Sequence, residues 1–232
     1  LKDVFKMNCK QCGGQYCISV VPIFETLSEV QKQEVSQMIT NRSFKKGELI
    51  FLASDVNGNL YVVKTGRVKI TQLSENGREQ VVRILDVGDF FGEFSLFLNR
   101  PLASNAKALE DTEICMLKGS AFQAFLMRTP EVMLAMMRQM SERLENVERL
   151  LGDVTGKDVG QRIAAYILQN VSVDSDYTFL CPLNKSDMAS MLGTTRETLS
   201  RKLSLFQQQN YIRMSGRKIV VCNYEKLKAY VQ

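Results

Sequence analysis

The sequence predicts an α+β chain built from an antiparallel β domain, one long helix, and a C-terminal helix pair closed by a basic hairpin. Three observations carry this prediction. Between Phe44 and Met116, short apolar runs are interrupted at roughly ten-residue spacing by Lys46-Gly47, Asn57-Gly58, Thr65-Gly66, Asn76-Gly77 and Val87-Gly88. From Met133 to Leu151, apolar residues recur at helical spacing. From Ser186 to Cys222 the pattern reads helix, glycine turn, helix, hairpin.

The 232 residues suffice for two modest domains, each with its own core. Hydrophobic residues make up 45% and charged residues 24%, as in an ordinary globular protein. A net charge of +5 is only mildly basic, so a nucleic-acid partner must be argued from local patches. No apolar run approaches membrane-spanning length and nothing resembles a signal peptide, so the expected compartment is the cytoplasm, with no membrane partner. Thiols stay reduced there. The six cysteines therefore point to a metal, a cluster or a redox switch more than to structural disulfides. There is no histidine, so any metal must be held by sulfur or oxygen.

Residues 1–20 form a cysteine-rich leader, with Cys9, Cys12 and Cys17 inside nine positions. Gly13 and Gly14 let the backbone wrap a compact centre. A tetrathiolate site needs a fourth sulfur from elsewhere. A reduced leader whose cysteines do nothing is the plainer alternative.

Residues 21–128 form the expected sensor domain. A helix is predicted from Ser28 as cap through Val30, Val35 and Ile39. Strands follow at Leu60–Val63, Val68–Ile70 and Val81–Leu85, and their regular punctuation argues for an antiparallel barrel or sandwich. Residues 129–155 form the expected dimerisation helix, opened by Thr129-Pro130. Met133, Met137, Met140, Leu144, Val147 and Leu151 are spaced 4-3-4-3-4, an a/d seam suited to a parallel homodimer. The alternative is an amphipathic helix packed on its own domain. Gly152 and Gly156 are read as a hinge, followed by a helix from Val159 to Asn170.

Residues 156–232 then form the expected DNA-binding domain. Asp187 to Leu192 is a short helix with Ser186 as cap, and Gly193 supplies the turn. The next helix places Leu199, Leu203 and Phe206 on one side and Arg196, Glu197, Ser200, Arg201 and Lys202 away from it. This is the layout of a helix-turn-helix whose second helix enters the major groove. The bland alternative is a solvated face on a packed helix. A hairpin from Tyr211 to Cys222, turning at Ser215-Gly216 with Arg217 and Lys218 near its tip, completes a winged helix. Arg201 suits guanine and Glu197 suits cytosine, which together fit the G·C pair of a TGA core in each half of an inverted repeat in double-stranded DNA.

The order of these parts resembles the CRP/FNR family of bacterial transcription regulators over essentially the whole chain. Leu60–Glu93 looks like the family's cyclic-nucleotide-binding β-roll, the helix at 131–153 like its dimer helix, and Arg196-Glu-Thr-Leu-Ser-Arg201 like its recognition motif. Ala106 to Cys115 most resembles the oxygen-sensing FNR branch. That resemblance implies a [4Fe–4S] cluster on Cys9, Cys12, Cys17 and Cys115, and RNA polymerase as a further partner. The enteric FNR pattern has five residues between its second and third clustered cysteines, whereas Cys12 and Cys17 enclose four. Arg196 beside Glu197 is instead typical of CRP-type readers, so the flanking bases stay open.

Other inputs can be weighed against the cluster. Gly92-Glu93 matches the start of the family's phosphate-binding cassette, but its end reads Ala103-Ser104 where an arginine would neutralise the phosphate. Burying an unpaired phosphate is strongly unfavourable, so cyclic AMP is not expected. A thiol–disulfide switch on Cys9-x-x-Cys12 and a structural zinc site are further alternatives. Cys181 and Cys222 match no family ligand and are expected to be buried small apolar residues. The chain is not expected to be an enzyme. A Ser/His/Asp set is impossible without histidine, and the Cys-x-x-Cys does not open a helix in a βαβ unit.

Overall fold

The structure is a computed structural model that describes Ile18 and residues 21–231, apart from 57, 75, 76, 78 and 173–175, and the side chains of 150, 151 and 153–155. It divides into two compact units. One ends at Glu142, and the other comprises Arg143 onward together with Glu79–Val81.

In the first unit, helix α1 (Glu29–Gln37) opens with a reciprocal capping box, in which Ser28 Oγ accepts from the Gln31 amide and Gln31 Oε1 accepts from that of Ser28. It ends earlier than expected, because β-branched Ile39 already begins strand β1 (Ile39–Phe44). The remaining strands are β2 (Leu49–Phe51), β3 (Leu60–Thr65), β4 (Val68–Leu73), β5 (Glu79–Leu85), β6 (Phe90–Phe91), β7 (Asn105–Ala108) and β8 (Thr112–Leu117). Between β6 and β7 lies the short helix α2 (Glu93–Leu98). They form two four-stranded sheets, ordered β1-β8-β3-β6 and β2-β7-β4-β5. The pairings are antiparallel, as in β1 with β8, β3 with β8 and β4 with β7.

Strand β3 explains the layering. Tyr61 and Val63 face the core between the sheets, with Phe51, Leu85, Phe91 and Ile114. Leu60 and Val62 face the opposite way, toward helix α3 (Gly119–Leu126) and the start of the long helix α4 (Pro130–Gly156). A strand buried on both faces reads as a continuous apolar run, here Leu60-Tyr-Val-Val63. The five predicted turn glycines all have positive φ. At Gly66 the requirement is strict, since a Cβ would stand 2.4 Å from Thr112 Oγ1.

Helix α4 is continuous through Gly152 and ends at Gly156, so the expected hinge at Gly152 is helical. Its first part packs in the outer layer through Val132 and Met136. The helix expected to mediate dimerisation is thus divided between the two units instead of forming a third.

The second unit contains α5 (Val159–Asn170), strand β9 (Thr178–Leu180), α6 (Lys185–Met191), α7 (Arg196–Gln208), strands β10 (Ile212–Ser215) and β11 (Lys218–Val221), and α8 (Tyr224–Val231). Its sheet is ordered β10-β11-β9 and is antiparallel.

Candidate nucleic-acid interface and sensor site

Helices α6 and α7 meet at Gly193, whose φ of +64° lets the chain reverse. Asn184, and not Ser186, caps α6, its side chain accepting from the amides of Ser186 and Asp187. Thr195 caps α7 through the Thr198 amide. Leu199, Leu203 and Phe206 are buried, and Phe206 meets Tyr230 edge-to-face at 5.1 Å. This anchoring leaves Arg196, Glu197 and Arg201 exposed, with Ser200 and Lys202 half-buried.

Arg162 holds this geometry, although no periodicity or motif marks it. From α5 its guanidinium donates to the carbonyls of Lys157, Leu192 and Gly193 at 2.8, 3.0 and 3.3 Å. Two of these carbonyls belong to the turn itself. Its planar fork of donors satisfies groups that a helix end leaves open. In the wing, Ser215 pairs with Lys218, so the two turn residues are Gly216 and Arg217 instead of Ser215 and Gly216. Arg217 also donates to the Pro182 carbonyl, tying the wing tip to the segment after β9. The third strand, β9, is a three-residue element that periodicity could not mark.

Inside the β-roll lies a cavity of about 190 Å³. Glu93 is buried at its wall, and Arg83 from β5 approaches it with 3.6 Å between Nη1 and Oε1. Burial pushes the Arg83 guanidinium below its ordinary value, opposed by Glu93 and Asp89. Ala103 and Ser104 also line the cavity, whereas Arg100 is exposed and does not.

Cys115 sits in the outer layer, paired with Asn41 on one side and Val62 on the other. Its Sγ lies 3.2 Å from Asn41 Oδ1. It is disulfide-bonded to a partner outside the described residues. Cys9, Cys12 and Cys17 also lie outside them. Among the described residues no group of three or more metal-ligating side chains converges.

A profile described as the cyclic nucleotide-binding domain matches residues 41–129, and one described as the Crp-like helix-turn-helix domain matches residues 161–230. Together they span most of the chain and both of its units. The chain belongs to the CRP/FNR family. It is therefore a DNA-binding transcription regulator, in a family of regulators and not of enzymes. Similar proteins include the probable transcriptional regulator flp of Lacticaseibacillus casei, 27% identical over 92% of this chain and 97% of that one. The fumarate and nitrate reduction regulatory protein of Vibrio cholerae is 27% identical over 95% and 89%. Among solved structures, FixK2 from Bradyrhizobium japonicum has a TM-score of 0.74 at 26% identity, covering 84% of this chain and 98% of that one.

The residues of the expected seam along α4 divide into two groups. Met137, Leu144 and Val147 are 58%, 59% and 51% exposed in the single chain, available to a partner. Met133 and Met140 instead pack partly against the chain's own core, as the amphipathic alternative foresaw. Leu134, missed by the heptad count, is exposed beside them. The Leu151 side chain lies outside the described ones. Cys181 is buried, 4.0 Å from Tyr166 Oη, but Cys222 is exposed against expectation, because it follows β11 where the chain leaves the sheet. Among the described residues no helix is long and apolar enough to cross a membrane.

Proposed function

We propose that this regulator is a homodimer that senses oxygen or redox state through Cys9, Cys12, Cys17 and Cys115, which hold a [4Fe–4S] cluster. The supporting observation is the position of Cys115. It shares one buried layer with Val132 and Met136 of α4. Four soft thiolates suit such a cluster, and the apolar layer around Cys115 limits access of water to it. A bound cluster would be held by these four thiolates and would supply an oxygen-sensitive iron–sulfur centre. The protein's part is mechanical: a change in the packing around Cys115 is felt by Val132 and Met136, and so by the helix that carries the dimer seam. Displacing α4 in each subunit re-places two recognition helices whose centres should lie roughly 34 Å apart on successive major grooves. The similarity to a fumarate and nitrate reduction regulator supports the same reading.

Arg201 and Glu197 read a TGA core in each half of an inverted repeat, and RNA polymerase is the further partner. Cyclic AMP is not the input, because Ala103 offers no cation to a phosphate. The cytoplasm is the compartment that suits this chemistry. The bond at Cys115 also favours a second reading, a thiol–disulfide switch with no metal. Anaerobic isolation separates the two. The cluster reading predicts iron, acid-labile sulfide and a broad absorption band that air bleaches and that Cys115→Ser abolishes. Zinc, or sulfide-free protein, from anaerobic cells contradicts it.

A further inference from the structure

The cavity of the β-roll is small and already contains a charge pair. Its volume of about 190 Å³ falls below the roughly 300–1,000 Å³ usual for small-molecule sites. Phe51, Ile70, Phe91 and Leu102 supply apolar wall, and Arg83 and Glu93 supply the charge. Glu93 is 5% exposed and begins α2 directly after Gly92. Gly92 has φ +88°, and a Cβ there would stand 2.6 Å from the Asn59 carbonyl, so this turn is fixed by the backbone around it. Arg83 reaches Glu93 at 3.6 Å through Nη1 and donates to the Phe90 carbonyl at 3.0 Å through Nη2. One side chain therefore bridges the carboxylate at the start of α2 and the backbone of β6.

A cyclic nucleotide asks two things of such a wall: a cation for its phosphate and an acceptor for its ribose hydroxyl. Ala103 withholds the first. Arg83 competes for the second, because its guanidinium lines the same cavity and stands 3.6 Å from the buried carboxylate. We propose that Arg83 is a specificity-determining residue of this cavity, standing in for a ligand and excluding cyclic nucleotides independently of Ala103. This rests on the reading that cyclic AMP is not the input.

Calorimetric titration of cyclic AMP into full-length wild type, Arg83→Ala, Ala103→Arg and the double variant tests it, with circular dichroism and thermal melting to confirm folding. Wild type should show no binding. The double variant should bind at least about tenfold more tightly than Ala103→Arg, the size of an ordinary coupling between neighbouring residues. Should Arg83→Ala not fold, Arg83→Gln, which keeps the length and removes the charge, carries the same comparison. Equal affinity in Ala103→Arg and the double variant overturns the role of Arg83, as does a folded double variant that binds nothing. Binding by wild type would instead overturn the underlying reading of the sensor.

Discussion

Arg201 and Glu197 lie one helical turn apart on the exposed face of α7, which Leu199, Leu203 and Phe206 hold against the domain core. An arginine bonds guanine O6 and N7 bidentately, so Arg201→Ala should cost about 1–3 kcal/mol per half-site and relax the choice of base at that guanine. Lys202→Ala, if its ammonium meets only phosphate, should weaken all sequences alike and flatten the salt dependence. A binding selection on randomised DNA reads both, and an unchanged base preference in Arg201→Ala would show that this face does not read the bases. These residues were legible because amphipathic periodicity marks an exposed face directly. Arg83 and Arg162 were not, since each acts on a backbone carbonyl or a carboxylate brought near only by the tertiary fold. Cys222 misled for a related reason: a cysteine's apolar character says nothing about whether the chain has already left the sheet.

At the scale of elements, glycine punctuation located the strands well because a turn with positive φ excludes most other residues. Boundaries were less legible. Ile39 fits a helical repeat and a strand equally, and pairing with Leu117 decides for the strand. The strand β9 is too short to carry a period at all. Helix α4 shows the limit of heptad counting: one helix has two apolar faces, with Val132 and Met136 in its own core and Met137, Leu144 and Val147 exposed. Burying Leu144 and Val147 from both subunits should contribute several kcal/mol, at about 25 cal/mol per Å² of apolar surface. Leu144→Glu should therefore shift the protein from dimer toward monomer in sedimentation at micromolar concentration, whether or not a cluster is present. A wild-type apoprotein that sediments as a monomer would contradict the seam.

For the molecule as a whole, the order of parts was legible from the β-roll to the wing, whereas the leader lies outside the described residues and the sensory input stands only as a proposed ligand set. Three of the four proposed thiolates precede the described fold, and the fourth is placed by strand register, Cys115 opposite Asn41 and Val62. In the proposed mechanism, chemistry at Cys115 is coupled to DNA through the layer it shares with α4. Coupling between two sites in one protein is commonly worth 1–3 kcal/mol, or roughly 5–150-fold in affinity. The most direct measurement is a fluorescence-anisotropy titration of an inverted repeat carrying TGA in each half, with anaerobically isolated protein before and after exposure to air. The wild type should change affinity by about tenfold or more, within that range of coupling, and Cys115→Ser should not respond. An affinity that is the same before and after air in the wild type would contradict the account.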